Sequence, residues 1–226
     1  GAESVIVPDL VLDNLAFAAS GLSAGVYGPI FCSIASSTRV AVRAECDSVA
    51  ASNETIYITL VLCDEVVSEL TSYTYATYGA TTGTDAKSTT VDPGGVAHTK
   101  GAYSEITASA QASIEHIHFM FGSNANSNTV SATWLVDIAT GAAASESVKI
   151  ANLFLSISNI SDFVLPLTVL FPGDNFAGVR IAVRAQSSII DATDRIITAA
   201  CLTGAGTVVS GGGGGMRLAG HGGLAA

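Results

Sequence analysis

Two histidines in this sequence have a spacing that suits metal binding. His116 and His118 lie two residues apart in the run IEHIHFMF at 114–121. Residues i and i+2 of a β-strand point to the same face, so these imidazoles could hold a metal ion, and a three-fold axis would bring six nitrogens together. A solvated or interfacial pair is the commoner arrangement. Both interpretations stay open, and no cofactor is predicted.

Other residue types that perform chemistry do not fall into catalytic patterns. The sequence has one G-x-S-x-G match, GLSAG at 21–25, but it lies in a stretch of small and polar residues that predicts a loop, without the strand that this motif needs before it. The nearest carboxylates for a hydrolytic pair, Asp64 with Glu65 and the isolated Asp174, stand in turn-like contexts. The glycine run at 211–215 lacks the lysine and hydroxyl of a phosphate-binding loop. We therefore predict that the chain is not an enzyme.

Two further sets of side chains are candidates for contacts. The first set is aromatic: side chains on a strand or arm could stack on sugars or line an interface. Its members are Tyr73, Tyr75, Tyr78 and Trp134. Charged residues are rare here, yet four of them recur at equivalent places in a repeat, namely Glu3, Arg43, Glu146 and Arg184. We predict one Glu–Arg contact in each copy of the repeat, with contact to a neighbouring subunit as the alternative.

The repeat organises the elements that carry these residues. The run TRVAVRA at 38–44 returns as VRIAVRA at 179–185, and ESVIVPDL at 3–10 aligns with ESVKIANL at 146–153. Alternating apolar residues predict half-buried strands in both copies. Strand-like segments precede Glu146 back to about residue 102, whereas two residues precede Glu3. The sequence therefore predicts an incomplete first module, with the missing strands removed by processing or supplied by another part of an assembly.

Composition limits the classes of function. About half of the residues are apolar, 12% are charged and the net charge is −10. Nine basic residues cannot cover a phosphate backbone, so nucleic acid is not an expected partner. No apolar run of 18 residues indicates a membrane span. The cysteines have no metal-ligand spacing and are expected to be buried reduced thiols; they are Cys32, Cys46, Cys63 and Cys201.

Short apolar runs separated by turn residues predict an all-β chain of tandem antiparallel β-sandwich, jelly-roll-like modules. In the second module we expect strands at 103–108, 114–123, 130–140, 147–156, 163–171, 179–186 and 195–202. In the first we expect strands at 4–12, 26–34, 39–46 and 55–64. The predicted domains are the incomplete module at 1–65, an extended linker or arm at 66–101, the complete module at 102–205 and a glycine-rich tail at 206–226. Jelly-roll and immunoglobulin-like topologies both remain open.

Four short blocks resemble a module of tailed-bacteriophage structural proteins. They are GVAHTKGAYSE at 95–105, LVDIATGAA at 135–143, ESV at 146–148 and RIAVRA at 180–185. The resemblance covers the second copy of the repeat and the latter half of the first. It implies a virion component, such as a capsid decoration, head fibre or tail-associated protein, with no catalytic residues to transfer.

Low charge, small apolar residues and this resemblance together favour a structural subunit of a phage virion, made in the host cytoplasm. Such a subunit would assemble with copies of itself and other virion proteins through β-sandwich faces and exchanged strands or arms. One alternative is a glycan-binding jelly roll that recognises a host surface through its aromatic rings. A secreted adhesin or surface-layer subunit is the second alternative.

Overall fold

The structure is a computed structural model that describes residues 3–10, 30, 32, 34–35, 37–45, 72–80, 88–111, 114–123, 132–157, 165–170, 178–189 and 197–207. The regular elements in these ranges are all β-strands: β1 (Ser72–Tyr78), β2 (Thr89–Val91), β3 (Ser104–Thr107), β4 (Ile114–Ser123), β5 (Ala132–Thr140), β6 (Ser147–Ile157), β7 (Leu165–Leu170), β8 (Ile181–Ser187) and β9 (Ile197–Thr207). Within them, no helix has the length and hydropathy to cross a membrane.

The strands form two antiparallel sheets. Sheet I has the order β1-β9-β4-β7, with β2 also paired to β9, and sheet II has the order β3-β8-β5-β6. Because β4 pairs with one side of β9 along most of its length, β1 and β2 share the other side, β1 against 201–207 and β2 against 197–199. The predicted all-β, antiparallel character is therefore confirmed.

The strand pairs are nested. β5 pairs with β6, β4 with β7, β3 with β8, and β1 and β2 with β9, as in one long hairpin rolled up on itself. The additional pair β4–β9 joins the strands of sheet I, and the additional pair β5–β8 joins those of sheet II. This strand order is that of a jelly roll and differs from the immunoglobulin arrangement.

One core lies between the sheets. Phe119 and Phe121 of β4 stack with ring centroids 5.9 Å apart, and they belong to the same buried cluster as Trp134 and Val183 of sheet II. The core residues of each strand are two positions apart, because every second side chain of a strand points to the same face. Burial of each large apolar side chain contributes roughly 1.5–3 kcal/mol, so this core is the main source of stability.

The sandwich begins earlier in the chain than composition indicates. The residues predicted as a linker at 66–101 include β1 and β2, which belong to sheet I. The Gly, Thr and Ser residues of this region suggested a connection, but β9 offers a free edge that these strands cover. The tail also differs, since β9 extends to Thr207, and residues 208–226 lie outside the described part.

The N-terminal region differs most from expectation. The described residues 3–10 and 38–45 are not part of any strand, although strands were predicted at 4–12 and 39–46. Instead, Val7, Leu10 and Ile30 pack on the outer face of sheet I, against a cluster that includes Tyr75 and Met120. The predicted strand at 55–64 lies outside the described residues, as does most of 26–34.

Candidate functional site

A cluster of charged side chains lies on the outer face of sheet II, with Asp137 of β5 at its centre. Val136 and Ile138 point into the core, so Asp137 must point outward. It is nevertheless buried, with 5% of its side chain exposed. Its Oδ1 accepts hydrogen bonds from Lys100 Nζ at 2.8 Å and from the backbone N–H of Asn152 at 2.9 Å. Its Oδ2 accepts a hydrogen bond from Arg184 Nε at 2.9 Å.

Each donor is placed by a different feature of the fold. Arg184 stands directly opposite Asp137 in the β5–β8 ladder. Asn152 has a positive φ of 57° in a β-bulge of β6, which turns its N–H towards the carboxylate. Lys100 comes from the loop before β3, and its ammonium also donates to the carbonyl of Leu135 at 2.8 Å.

The loop that carries Lys100 is fixed to the end of β8. The N–H of His98 donates to the carbonyl of Ser187 at 2.8 Å, and the N–H of Gly101 donates to the carbonyl of Ala185 at 2.9 Å. At Gly101 a Cβ would lie 2.4 Å from the carbonyl oxygen of Asp92. Only glycine therefore allows the backbone to pass here and present Lys100 to Asp137.

The cluster continues to both sides along β8. The guanidinium of Arg184 lies 4.6 Å from the ring centroid of Tyr103, which is a cation–π distance. At the start of β8, Arg180 donates from Nε to Glu105 at 2.7 Å and from a terminal nitrogen to Glu146 at 2.9 Å. These contacts tie β3, β5, β6 and β8 together on the side of sheet II away from the core.

The pKa values follow from this arrangement. Burial alone would raise the pKa of Asp137, but the hydrogen bonds from Lys100, the Asn152 backbone and Arg184 outweigh it and lower that pKa. Burial also acts to lower the pKa of Arg180, and its bonds to Glu105 and Glu146 raise it instead. Asp137 therefore stays charged, and we interpret the cluster as a tie between strands.

The predicted Glu–Arg contacts are formed with different arginines. Glu146 pairs with Arg180, whereas the predicted partner Arg184 pairs with Asp137. The register gives the reason. Thr140 at the end of β5 stands opposite both Ser147 and Ile181, so the residues just before these two, Glu146 and Arg180, meet across the strand end.

The first copy of the repeat makes the equivalent contact. Glu3 pairs with Arg39, the counterpart of Arg180, and the predicted partner Arg43 is exposed. None of the carboxylates in the described ranges pairs with Arg43. The hypothesis of one Glu–Arg contact per copy thus named the right glutamates and the wrong arginine of each run.

Backbone geometry is repeated as well. Asp9 has a φ of 44° where its equivalent Asn152 has 57°. Ser37 has a φ of 64° where its equivalent Gly178 has 68°. Positive φ is uncommon for residues other than glycine, so two coincidences at matching positions show that the repeat extends to local structure. Residues 3–10 therefore correspond to the first part of β6, and residues 37–45 to the turn before β8 and nearly all of β8.

Burial separates the two copies. Val183 of β8 is 0% exposed, whereas its equivalent Val42 is 52% exposed. Ala182 and Ala185 are also fully buried, and their equivalents Ala41 and Ala44 are exposed. Similar residues are thus covered where β3 and β5 flank them, and uncovered in the N-terminal region.

The histidine pair is divided by what the structure describes. His118 is 3% exposed on the outer face of sheet I, beside the region on which the N-terminal residues pack. The side chain of His116 lies outside the described part. Among the described residues there is no group of three His, Cys, Asp or Glu side chains that could hold a metal ion.

The candidate aromatic residues are largely internal. Trp134 is 1% exposed in the core between the sheets. Its side chain points to the same face of β5 as that of Val136 and to the face opposite that of Asp137. Tyr75 is buried under the N-terminal residues, with Tyr73 beside it at a ring-centroid distance of 6.4 Å. The hydroxyl of Tyr78 accepts a hydrogen bond from the N–H of Gln111 at 2.9 Å. Trp134 and Tyr75 are thus not available to stack on a sugar.

Of the cysteines, Cys201 and Cys32 lie in the described part and both are free thiols. Cys201 is in the core, and burial raises its pKa to about 12. Cys32 is partly exposed. Cys46 and Cys63 lie outside the described residues.

Sequence reasoning missed Asp137, Lys100 and Glu105. A usable signal existed for Asp137, since a lone aspartate in the apolar run TWLVDIAT at 133–140 must either be paired or break the strand. Lys100 lies 37 residues from Asp137 in the chain, and only the loop geometry brings the two together.

Comparison of this chain with models of protein families, with curated proteins and with solved structures found no match.

Proposed function

We propose that this chain is a structural subunit of a bacteriophage virion, in the capsid decoration, the head fibre or the tail. It assembles with copies of itself and with other virion proteins and has no catalytic role. The observation that carries the proposal is the exposure of residues 41, 42 and 44, whose equivalents are fully buried in the sandwich. Apolar strand-forming residues left in water favour association, because covering them removes apolar surface from solvent.

Three other features support an assembling subunit. The charged side chains of sheet II are bound to one another, which fits a rigid building block better than a reaction centre. Large apolar side chains are exposed at several places, among them Phe154 at 62% and Val96 at 62%. The four sequence blocks that resemble a phage structural module lie in the sandwich or in the loop before β3. Each of these features is ordinary alone, and their combination favours assembly.

The proposal is tested on phage particles and on the purified chain. Mass spectrometry of purified virions whose genome encodes the chain is expected to detect it in stoichiometric amount, and immunogold electron microscopy is expected to place it on the head or the tail. Virions without the chain would overturn the proposal. In solution or on virions that lack the chain, Val42→Lys is expected to weaken assembly. The matched control is Thr99→Lys, which adds the same charge at an exposed residue of the loop before β3 and removes no apolar side chain.

A further inference from the structure

The N-terminal segments at 3–10 and 38–45 correspond to two strands that have a common neighbour in the sandwich. In sheet II, β6 and β8 lie on opposite sides of β5 and both bond to it. The N-terminal equivalents share the terminal Glu–Arg contact and the unusual φ values of β6 and β8, but no described residue forms a ladder with either segment. The place that β5 occupies in the sandwich has no described strand in the N-terminal region.

The apolar side chains of the first segment are already packed on the sandwich. Val7 and Leu10, the equivalents of the inward-facing Ile150 and Leu153, pack on the outer face of sheet I. Sheet I therefore provides the apolar floor that a complete module would build from its own second sheet. Val42, the equivalent of the buried Val183, is 52% exposed.

The charge pattern defines the partner further. In the sandwich, Asp137 of β5 receives Arg184 from one side and the Asn152 N–H from the other. The N-terminal equivalents of these two donors are Arg43, which is exposed, and the N–H of Asp9, whose φ is positive like that of Asn152. Two donors that meet on a carboxylate in one copy predict a carboxylate between them in the other.

We propose that the N-terminal segments form an acceptor site for one strand of a different virion protein, with alternating apolar residues and a central outward-facing aspartate, as in β5. Binding would convert residues 38–45 into a paired strand and place Arg43 against the incoming carboxylate. This is β-strand addition, in which the ladder provides affinity and alternate side chains provide specificity. The inference rests on the proposed function, since it specifies the strand exchange of an assembling subunit.

The experiment uses a peptide of residues 131–141, the β5 sequence SATWLVDIATG, with lysines and a fluorophore added at one end. Titration with the full chain, followed by fluorescence anisotropy, is expected to show saturable binding. Arg43→Gln is expected to weaken binding about ten-fold, the effect of losing a charge pair at an interface. The peptide with Asp137→Asn should lose a similar factor, and combining the two changes should add little. Glu45→Gln is the matched control, because it introduces the residue that β8 has at this place, Gln186.

Amide hydrogen exchange locates the bound peptide. Slower exchange at 38–45 with no change in β8 would support the site, because only the N-terminal segments gain a ladder. Absence of binding, binding unaffected by both Arg43→Gln and peptide Asp137→Asn, or altered exchange in β8 would overturn it. A chain that dimerises alone and loses the dimer on Arg43→Gln would assign the site to a second copy and overturn the proposal of a different protein. If the chain is present in virions but does not bind the peptide, only the acceptor site is refuted. If the chain binds the peptide but is not present in virions, the proposed function is refuted.

Discussion

Strand β8 and the N-terminal segment 38–45 have nearly the same sequence and different surroundings. In both, an arginine two residues after a positive-φ residue pairs with a glutamate, Glu146 in one case and Glu3 in the other. β8 lies between β3 and β5 and its Val183 is fully buried, while the N-terminal Val42 is half exposed. The difference shows that local sequence sets the turn and the ion pair, and that neighbouring strands decide whether a ladder forms.

The largest expected effect comes from a charge placed in the buried member of the pair. Val183→Asp should cost more than about 4 kcal/mol of unfolding free energy, because it buries an unpaired carboxylate in the core. Val42→Asp in the exposed counterpart should change it by less than about 0.5 kcal/mol. Urea unfolding followed by circular dichroism measures both. Equal effects would show that Val42 is buried in solution.

Substitutions should also distinguish Arg184, which belongs to the ion cluster around Asp137, from its exposed N-terminal equivalent Arg43. Asp137→Ala leaves Lys100 and Arg184 without their shared carboxylate, and should cost about 3 kcal/mol of unfolding free energy. Arg43→Ala should be nearly neutral in the isolated chain, since no described carboxylate pairs with Arg43. Chemical denaturation at neutral pH tests both variants, and an equally harmful Arg43→Ala would contradict the comparison.

Acid should act on the same carboxylate. The folded-state pKa of Asp137 lies below its unfolded value, so its stabilisation is present above about pH 4 and is lost as the pH falls through the folded pKa. As the pH is lowered from roughly 5 to 2, the free energy of unfolding should therefore fall more steeply in the natural chain than in Asp137→Asn. Parallel pH profiles of the two proteins would show that the ionisation of Asp137 does not contribute to the pH dependence of stability.

A smaller difference is expected between the two equivalent glutamates. Glu146→Gln should lower the midpoint of urea unfolding, because Glu146 contacts a well-covered guanidinium at the end of β5. Glu3→Gln should leave the midpoint unchanged, since both members of the Glu3–Arg39 pair are exposed and water screens them. A larger effect at Glu3 would indicate that the N-terminal segments are more closely packed than their exposure suggests.

The smallest effect concerns thiol reactivity rather than stability. Cys201 should resist alkylation in the native protein, because it is buried and its pKa is raised to about 12. Cys32 in the N-terminal region is partly exposed and should react first of these two. Mass spectrometry of tryptic peptides after brief treatment with iodoacetamide gives the order. Early labelling of Cys201 would mean that the core between the sheets opens readily.

Much of the sandwich could be predicted from sequence because strand alternation is a local property. The run at 114–123 was expected as a strand and is β4, residue for residue. The linker or arm predicted at 66–101 contains β1 and β2: the alternation at 66–78 fits a strand or an extended arm equally, and the Gly- and Thr-rich stretch after it gives no strand pattern. Whether such a stretch separates two domains or two strands of one sheet depends on β9, more than 100 residues later.

The site shows the same limit. Sequence repetition identified Glu3 and Glu146 as members of ion pairs, but the choice between two arginines four residues apart follows from the register of β5 with its neighbours. The residue type of Trp134 alone allows a ring at the surface. In the structure Trp134 lies in the core, because the odd and even positions of β5 face opposite sides of the sheet.

By itself, the sequence determined the β-character of the sandwich and the repetition of short runs in the two halves of the chain. These properties depend on side-chain periodicity and turn residues within a few positions of each other. The tertiary structure alone decided that Lys100, Arg184 and the Asn152 backbone converge on Asp137, and that Val183 is buried where Val42 is not. Such outcomes depend on which distant strand lies alongside, because a ladder, an ion pair and a buried face each need a partner that the local sequence does not contain.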